Sequence, residues 1–158
     1  MAEANMTKAR EVYYSIISML DNINWSYDRD DEKLVIKSGV KGDDLPVEFL
    51  VVVNAKNEVV QFLSQLPFNA PEDKRIDMAI AVNVVNWNLV DGSFDYNISD
   101  GKIIFRMTSS YRDSYLSEEL FKYLIMVASS TVDNYNDKFF MITKGMMTIQ
   151  QFVESQNG

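Results

Sequence analysis

A chain of 158 residues is the length of one ordinary domain, which argues against a two-domain enzyme with separate cofactor and substrate halves. With 15 basic and 23 acidic residues the net charge is -8, which opposes binding to phosphate backbones and anionic membrane surfaces. There is no Cys and no His, so thiol nucleophiles, disulfides, Ser-His and Cys-His catalysis, and imidazole or thiolate metal ligands are excluded. Area scaling for this mass leaves about 8,100 Å² accessible after burial of about 69% of the unfolded surface, enough for a sizeable core, and 47% hydrophobic content fits it.

The first ten residues hold no apolar run, so no secretory signal is expected. The longest unbroken apolar stretches, such as Phe49 to Val53 and Leu124 to Ala128, fall far short of the roughly 18 residues of a spanning helix. A soluble, cytoplasmic protein without membrane association is expected. The N-x-S/T triplets at Asn5, Asn24 and Asn97 carry no glycosylation signal without export.

Thr7 is a candidate N-cap for a first helix running to about Leu20, with Tyr13, Ile16, Ile17 and Leu20 at helical spacing. Strand-like segments follow at Trp25 to Asp28, Leu34 to Val40, Pro46 to Val53 and Val59 to Leu66. The links between them are short and polar, which permits antiparallel hairpins and forbids parallel crossovers, so the four form a meander. Pro71, followed by Glu72 and Asp73, opens a second helix that runs to about Leu89. Asp91-Gly92 stops it. Phe94, Tyr96 and Ile98 alternate with polar residues, Ser99-Asp100-Gly101 turns the chain, and Ile103, Phe105 and Met107 share one face of the partner strand. Ser117 caps a third helix that continues to about Tyr135 or a little beyond; after Gly145, Thr148 caps a short last helix through Ile149, Phe152 and Val153. The order is α-β-β-β-β-α-β-β-α-α, with no linker or repeat. It predicts one α+β domain over residues 1–158, an antiparallel sheet with helices packed on one face, and a C-terminal extension over 143–158.

The acidic run Asp28-Arg29-Asp30-Asp31-Glu32 resembles a calcium loop only in composition, since Lys33 stands where the sharp turn needs Gly and no bidentate Glu follows at the right distance. It reads as a solvated hairpin turn, as does Asp43-Asp44. Glycosidase-type chemistry needs two carboxylates across a cleft, and sequence adjacency shows neither that nor a raised pKa. The six glycines form no nucleotide-binding or nucleophile-elbow motif. Ser109-Ser110 with Lys102 or Lys122 makes no defined Ser-Lys pair. No catalytic residue, cofactor or metal site is assigned.

The second helix carries more information. Ile76, Ile80, Val84 and Trp87 form one apolar stripe; Met78, Val82, Val85 and Leu89 form another on the opposite side. A helix lying on a sheet needs one stripe. The second either packs within the monomer or meets another protein. The third helix repeats the pattern, with Leu116, Leu120, Leu124, Val127 and Thr131 on one side and Phe121, Ile125, Ala128 and Val132 on another. Nine methionines suit adaptable contact surfaces or act as core filler.

The segment Val85-Asn86-Trp87-Asn88-Leu89-Val90-Asp91-Gly92-Ser93-Phe94-Asp95-Tyr96, with Asp100-Gly101-Lys102-Ile103-Ile104-Phe105-Arg106, resembles the centre of the YbjN family. There a helix with a Val-Asn step leads through Gly to an aromatic strand, an Asp-Gly turn and a strand bearing Arg. Leu116-Ser117-Glu118-Glu119-Leu120 before a long helix fits as well, and the resemblance extends from about Thr7 to Ile142. It implies a fold similar to type III secretion chaperones, in small acidic proteins that often dimerise and bind proteins. Members have been labelled sensory transduction regulators, and the family brings no catalytic motif.

The expected function is a non-enzymatic protein-binding module, regulatory or chaperone-like, acting as a homodimer on a protein partner. Met78, Val82, Val85 and Leu89 are the candidate contact residues, with Ile149, Phe152 and Val153 as a second surface. Two rival readings are a small-ligand protein or carboxylate-dependent hydrolase, and an acidic immunity or inhibitor protein. The charge is uneven: residues 1–100 carry 9 basic and 17 acidic side chains, against 6 and 6 in residues 101–158.

Overall fold

The computed structural model describes residues 2–157. Its elements are α1 (Ala2–Asn22), β1 (Tyr27–Asp30), β2 (Val35–Val40), β3 (Val47–Asn54), β4 (Val59–Asn69), α2 (Arg75–Asn88), β5 (Ser93–Asn97), β6 (Lys102–Ser110), α3 (Glu118–Thr143) and α4 (Ile149–Gln156). The six strands form one antiparallel sheet in the order β1-β2-β3-β4-β6-β5. The meander is therefore extended by the second hairpin, with β6 joined to β4 and β5 left at an edge.

Period-two alternation sorts every long strand into two faces. Ile36, Val51, Phe62 and Met107 are cross-strand neighbours and all buried. The adjoining row Lys37, Leu50, Leu63 and Arg106 looks the other way. α1 and α3 cover the first face, α3 reaching β3, β4 and β6, while α2 packs beside β5 against α3 and α4. Tyr13, Ile16 and Leu20 from α1 and Phe121, Ile125 and Phe139 from α3 fill the layer between helices and sheet. The Ser38 hydroxyl is bonded on both sides: Trp25 Nε1 donates to Ser38 Oγ at 2.7 Å, and Ser38 Oγ donates to the Ser26 carbonyl at 2.6 Å, whereas Ser129 Oγ is buried with no partner among the described residues. Asn136 is the contrast, fully buried with neither amide atom bonded among the described residues, an arrangement that costs about 1 to 3 kcal/mol.

Several boundaries differ from the sequence reading, β4 for instance running to Asn69 rather than Leu66, and four of the differences have a clear physical reason. Thr7 lies inside α1, and its hydroxyl donates back to the Glu3 carbonyl at 3.1 Å, the mid-helix alternative to capping. β1 begins and ends two residues later because Asp30 Oδ1 accepts the N–H groups of Glu32 and Lys33 and places the turn after itself. Pro71 precedes a 3-10 turn over Glu72–Lys74, and α2 begins only at Arg75. α3 runs on to Thr143 since Phe139 and Ile142 continue its buried face past the polar residues at 133–138. The caps Ser117 and Thr148 stand where expected: Ser117 Oγ accepts from Leu120 N, and Thr148 forms a reciprocal capping box with Gln151.

The accessible surface is 9100 Å², about 1,000 Å² above the value expected for a domain of this mass.

Candidate functional site

α2 has two apolar sides because its sequence repeats aliphatic residues at both helical phases. Met78, Ala81, Val82 and Val85 point inward and are buried. Leu89, at the C-cap in an extended conformation, is half-buried against the same core. Three of the four residues expected to make contacts thus belong to the interior, and the opposite stripe reaches solvent. Ile76 is 65% exposed, Ile80 43% and Trp87 88%, with Val90 just beyond at 96%. Val84, also in that stripe, is half-buried.

The second expected surface is likewise engaged within the fold. α4 lies against α2; Phe152 is fully buried with its ring 6.0 Å from that of Phe139, and Ile149 and Val153 are half-buried. Nothing local to Phe152 in sequence announces Phe139 as its neighbour.

The α2 outer stripe is held rigidly by polar contacts around its ends. Asn86 Nδ2 donates to the Phe94 carbonyl at 2.9 Å while its Oδ1 accepts from Phe94 N–H at 2.8 Å. A side-chain amide on the helix therefore satisfies both outward backbone groups of an edge-strand residue. The sequence reading passed over this role, although the Val-Asn step marked the position. Gly92 makes the turn between helix and strand with φ 73°, and a Cβ there would sit 2.5 Å from the Phe105 ring. The Tyr123 hydroxyl donates to Asp91 and ties this turn to α3. Arg75 Nη1 donates to the Ser99 carbonyl at 2.7 Å, and the Tyr96 hydroxyl donates to the Arg75 carbonyl at 3.0 Å, fixing the other end.

The charged clusters resolve into scaffolding. Asp31 pairs with Arg29 at 3.3 Å and accepts from the Tyr13 hydroxyl at 2.9 Å; Asp30 pairs with Lys33 at 3.2 Å. Hydrogen bonds from the Lys33 backbone and side chain hold Asp30 below its ordinary pKa. Asp43 N–H donates to Asp133 at 2.9 Å, pinning the β2–β3 loop to α3. Among the described residues no three acidic side chains gather as a metal ligand set, and no helix is long and apolar enough to cross a membrane. Ser109 is half-buried and Ser110 Oγ donates to the Glu58 carbonyl at 3.3 Å, which makes that pair part of the β6 end.

A family model described as "Putative bacterial sensory transduction regulator" matches residues 15–141. The chain belongs to the YbjN family. The matched span contains all six strands, α2 and nearly all of α3, and leaves α4 outside. YbjN from E. coli has a similar solved structure, with a TM-score of 0.56 at 10% identity, covering 75% of this chain and 84% of that one. A chain of the ExsC–ExsE complex aligns with a TM-score of 0.56 at 15% identity over 80% of this chain and 92% of that chain. A chain of the HopA1–SchA chaperone–effector complex gives 0.53 at 11% identity over 80% and 94%. The α+β architecture, type III chaperone-like in fold, matches the expectation from sequence. No curated protein matches the sequence.

Proposed function

We propose that this YbjN-family protein is a non-enzymatic, protein-binding regulator or chaperone-like adaptor that works as a homodimer. The observation that carries the reading is the outer stripe of α2: Ile76, Ile80, Trp87 and Val90 are exposed on a helix whose other side already completes the core. Apolar side chains that folding does not require are the chemistry of an interface, and Trp is among the residues most enriched at energetic centres of protein contacts. Burying each is worth about 1.5 to 3 kcal/mol before association entropy is subtracted. The two chaperone-fold complexes support a binding role by analogy of fold. Sequence composition supports the absence of enzymatic function, since the chain has no His or Cys for acid-base or nucleophilic work.

Sedimentation equilibrium at micromolar concentration tests the dimer. A dimeric mass is expected for the native chain and a monomeric one for Ile80→Glu with Trp87→Ser, both with unchanged circular dichroism. A native monomer, or a double variant that remains dimeric, removes this stripe as the interface.

A further inference from the structure

β3 and β4 pair from the hairpin at Asn54↔Val59 back to Leu50↔Leu63 and then part. At Glu48 a side chain stands in for the missing ladder bond, Ser64 Oγ donating to the Glu48 carbonyl at 2.6 Å. Further along, Pro67 has no N–H to offer, and the β4–β6 register shifts between Gln65 and Asn69. A cleft of about 580 Å³ opens between the strands on the face that none of the described helices covers, within the size range of small-ligand sites. Its floor reaches Phe49 and Leu66, which are buried members of the core. Leu50, Leu63 and Ile104 form an apolar wall above them.

At one end the cleft carries one charge of each sign. Lys37 faces Leu50 across the β2–β3 ladder and Gly39 faces Glu48, so Lys37 and Glu48 are diagonal neighbours on the same face. Neither has an ion-pair partner among the described residues. A ligand that matches this end must offer an anion and a cation close together, with an apolar group attached. A fatty acid would set its carboxylate against Glu48, and an internal peptide segment brings neither charge with its backbone.

We infer that the cleft binds a free α-amino acid with a large apolar side chain. Its ammonium group meets Glu48, its carboxylate meets Lys37, and its side chain lies along Leu50, Leu63 and Ile104 over the gap that reaches Phe49 and Leu66. The site is separate from the α2 stripe and stands whether or not the chain dimerises.

Methyl-detected NMR titration of the full chain with L-leucine tests this. Saturable shifts of the Leu50, Leu63 and Ile104 methyls are expected. Leucinamide and N-acetylleucine, each lacking one charge, should bind at least about tenfold more weakly, as should leucine to Lys37→Met or Glu48→Gln. Both variants should keep the native urea midpoint and the native sedimentation mass. No shift up to the solubility limit of leucine overturns the proposal. So does N-acetylleucinamide binding as tightly as leucine, which assigns the cleft to a peptide segment. Shifts that follow protein concentration alone overturn it too, in favour of a second copy.

Discussion

Ile104 and Phe105 are neighbours in β6 and face opposite ways. Phe105 is fully buried under α3, with its ring 5.0 Å from that of Phe94; Ile104 is half-buried on the side that none of the described helices covers. α2 repeats the division, with Val85 inside and Trp87 outside. One side of each element closes the core, and the other carries apolar side chains beyond what closure requires. The lesson is that apolar periodicity identifies faces without ranking them, and only packing separates the face that folds the chain from the face free to bind.

The largest expected effect breaks or confirms that separation in a single strand. Phe105→Ala should cost about 3 to 5 kcal/mol through lost burial and the cavity left beside Phe94. Ile104→Ser should cost within about 1 kcal/mol, the span of strand propensity at a partly exposed site. Urea denaturation with an unchanged slope measures both. An Ile104→Ser cost equal to that of Phe105→Ala means the outer face is covered in solution.

Asn86 sharpens the comparison at the boundary between the two sides. It belongs to neither stripe of α2; its amide closes the β5 edge at Phe94. Asn86→Ala leaves a backbone donor and acceptor without their partner and should cost about 1 to 3 kcal/mol, with faster amide exchange at Phe94 than in the native chain. An unchanged exchange rate there means that water or neighbouring backbone serves the edge equally well. The exposed pair would also be a template for pairing with another strand.

What was legible in sequence follows from how local each signal is. Ser117 and Thr148 mark helix starts because a cap is decided within four residues, and the polar links at 29–32 and 55–58 force hairpins because they are too short for anything else. The reach of α3 to Thr143 was hidden: Asn134, Asn136 and Asp137 are weak helix formers, and tertiary burial of Phe139 and Ile142 carries the helix past them. The direction of the α2 stripes was hidden for the same kind of reason. α4 lies more than sixty residues downstream and packs on α2, so the stripe holding Met78, Val82 and Val85 is interior by virtue of partners that its own spacing cannot reveal. The resemblance around Val85 to Arg106 located the helix–turn–hairpin unit, while Asn86's bond to the edge strand required the hairpin's docked position.

Smallest in effect, and most informative about the covered layer, is the response to alkali. Five tyrosines, Tyr13, Tyr27, Tyr96, Tyr111 and Tyr123, have pKa values raised above the ordinary 10.0. The causes divide as the molecule does. Burial leads for Tyr13, Tyr96 and Tyr111, whereas hydrogen bonds to Asp21 and Asp91 lead for Tyr27 and Tyr123 at the surface. A raised pKa means the folded state holds the proton more tightly than the unfolded chain. The associated stability is therefore complete below pH 10 and is lost as pH rises through the folded values. Denaturation midpoints should fall above pH 10, and tyrosinate absorbance should lag that of the unfolded chain. Tyr13→Phe should flatten the fall more than Tyr123→Phe, since Tyr13 combines burial with the Asp31 bond. Equal flattening by the two variants would make surface carboxylates, rather than the helix-covered layer, the origin of the alkaline limit.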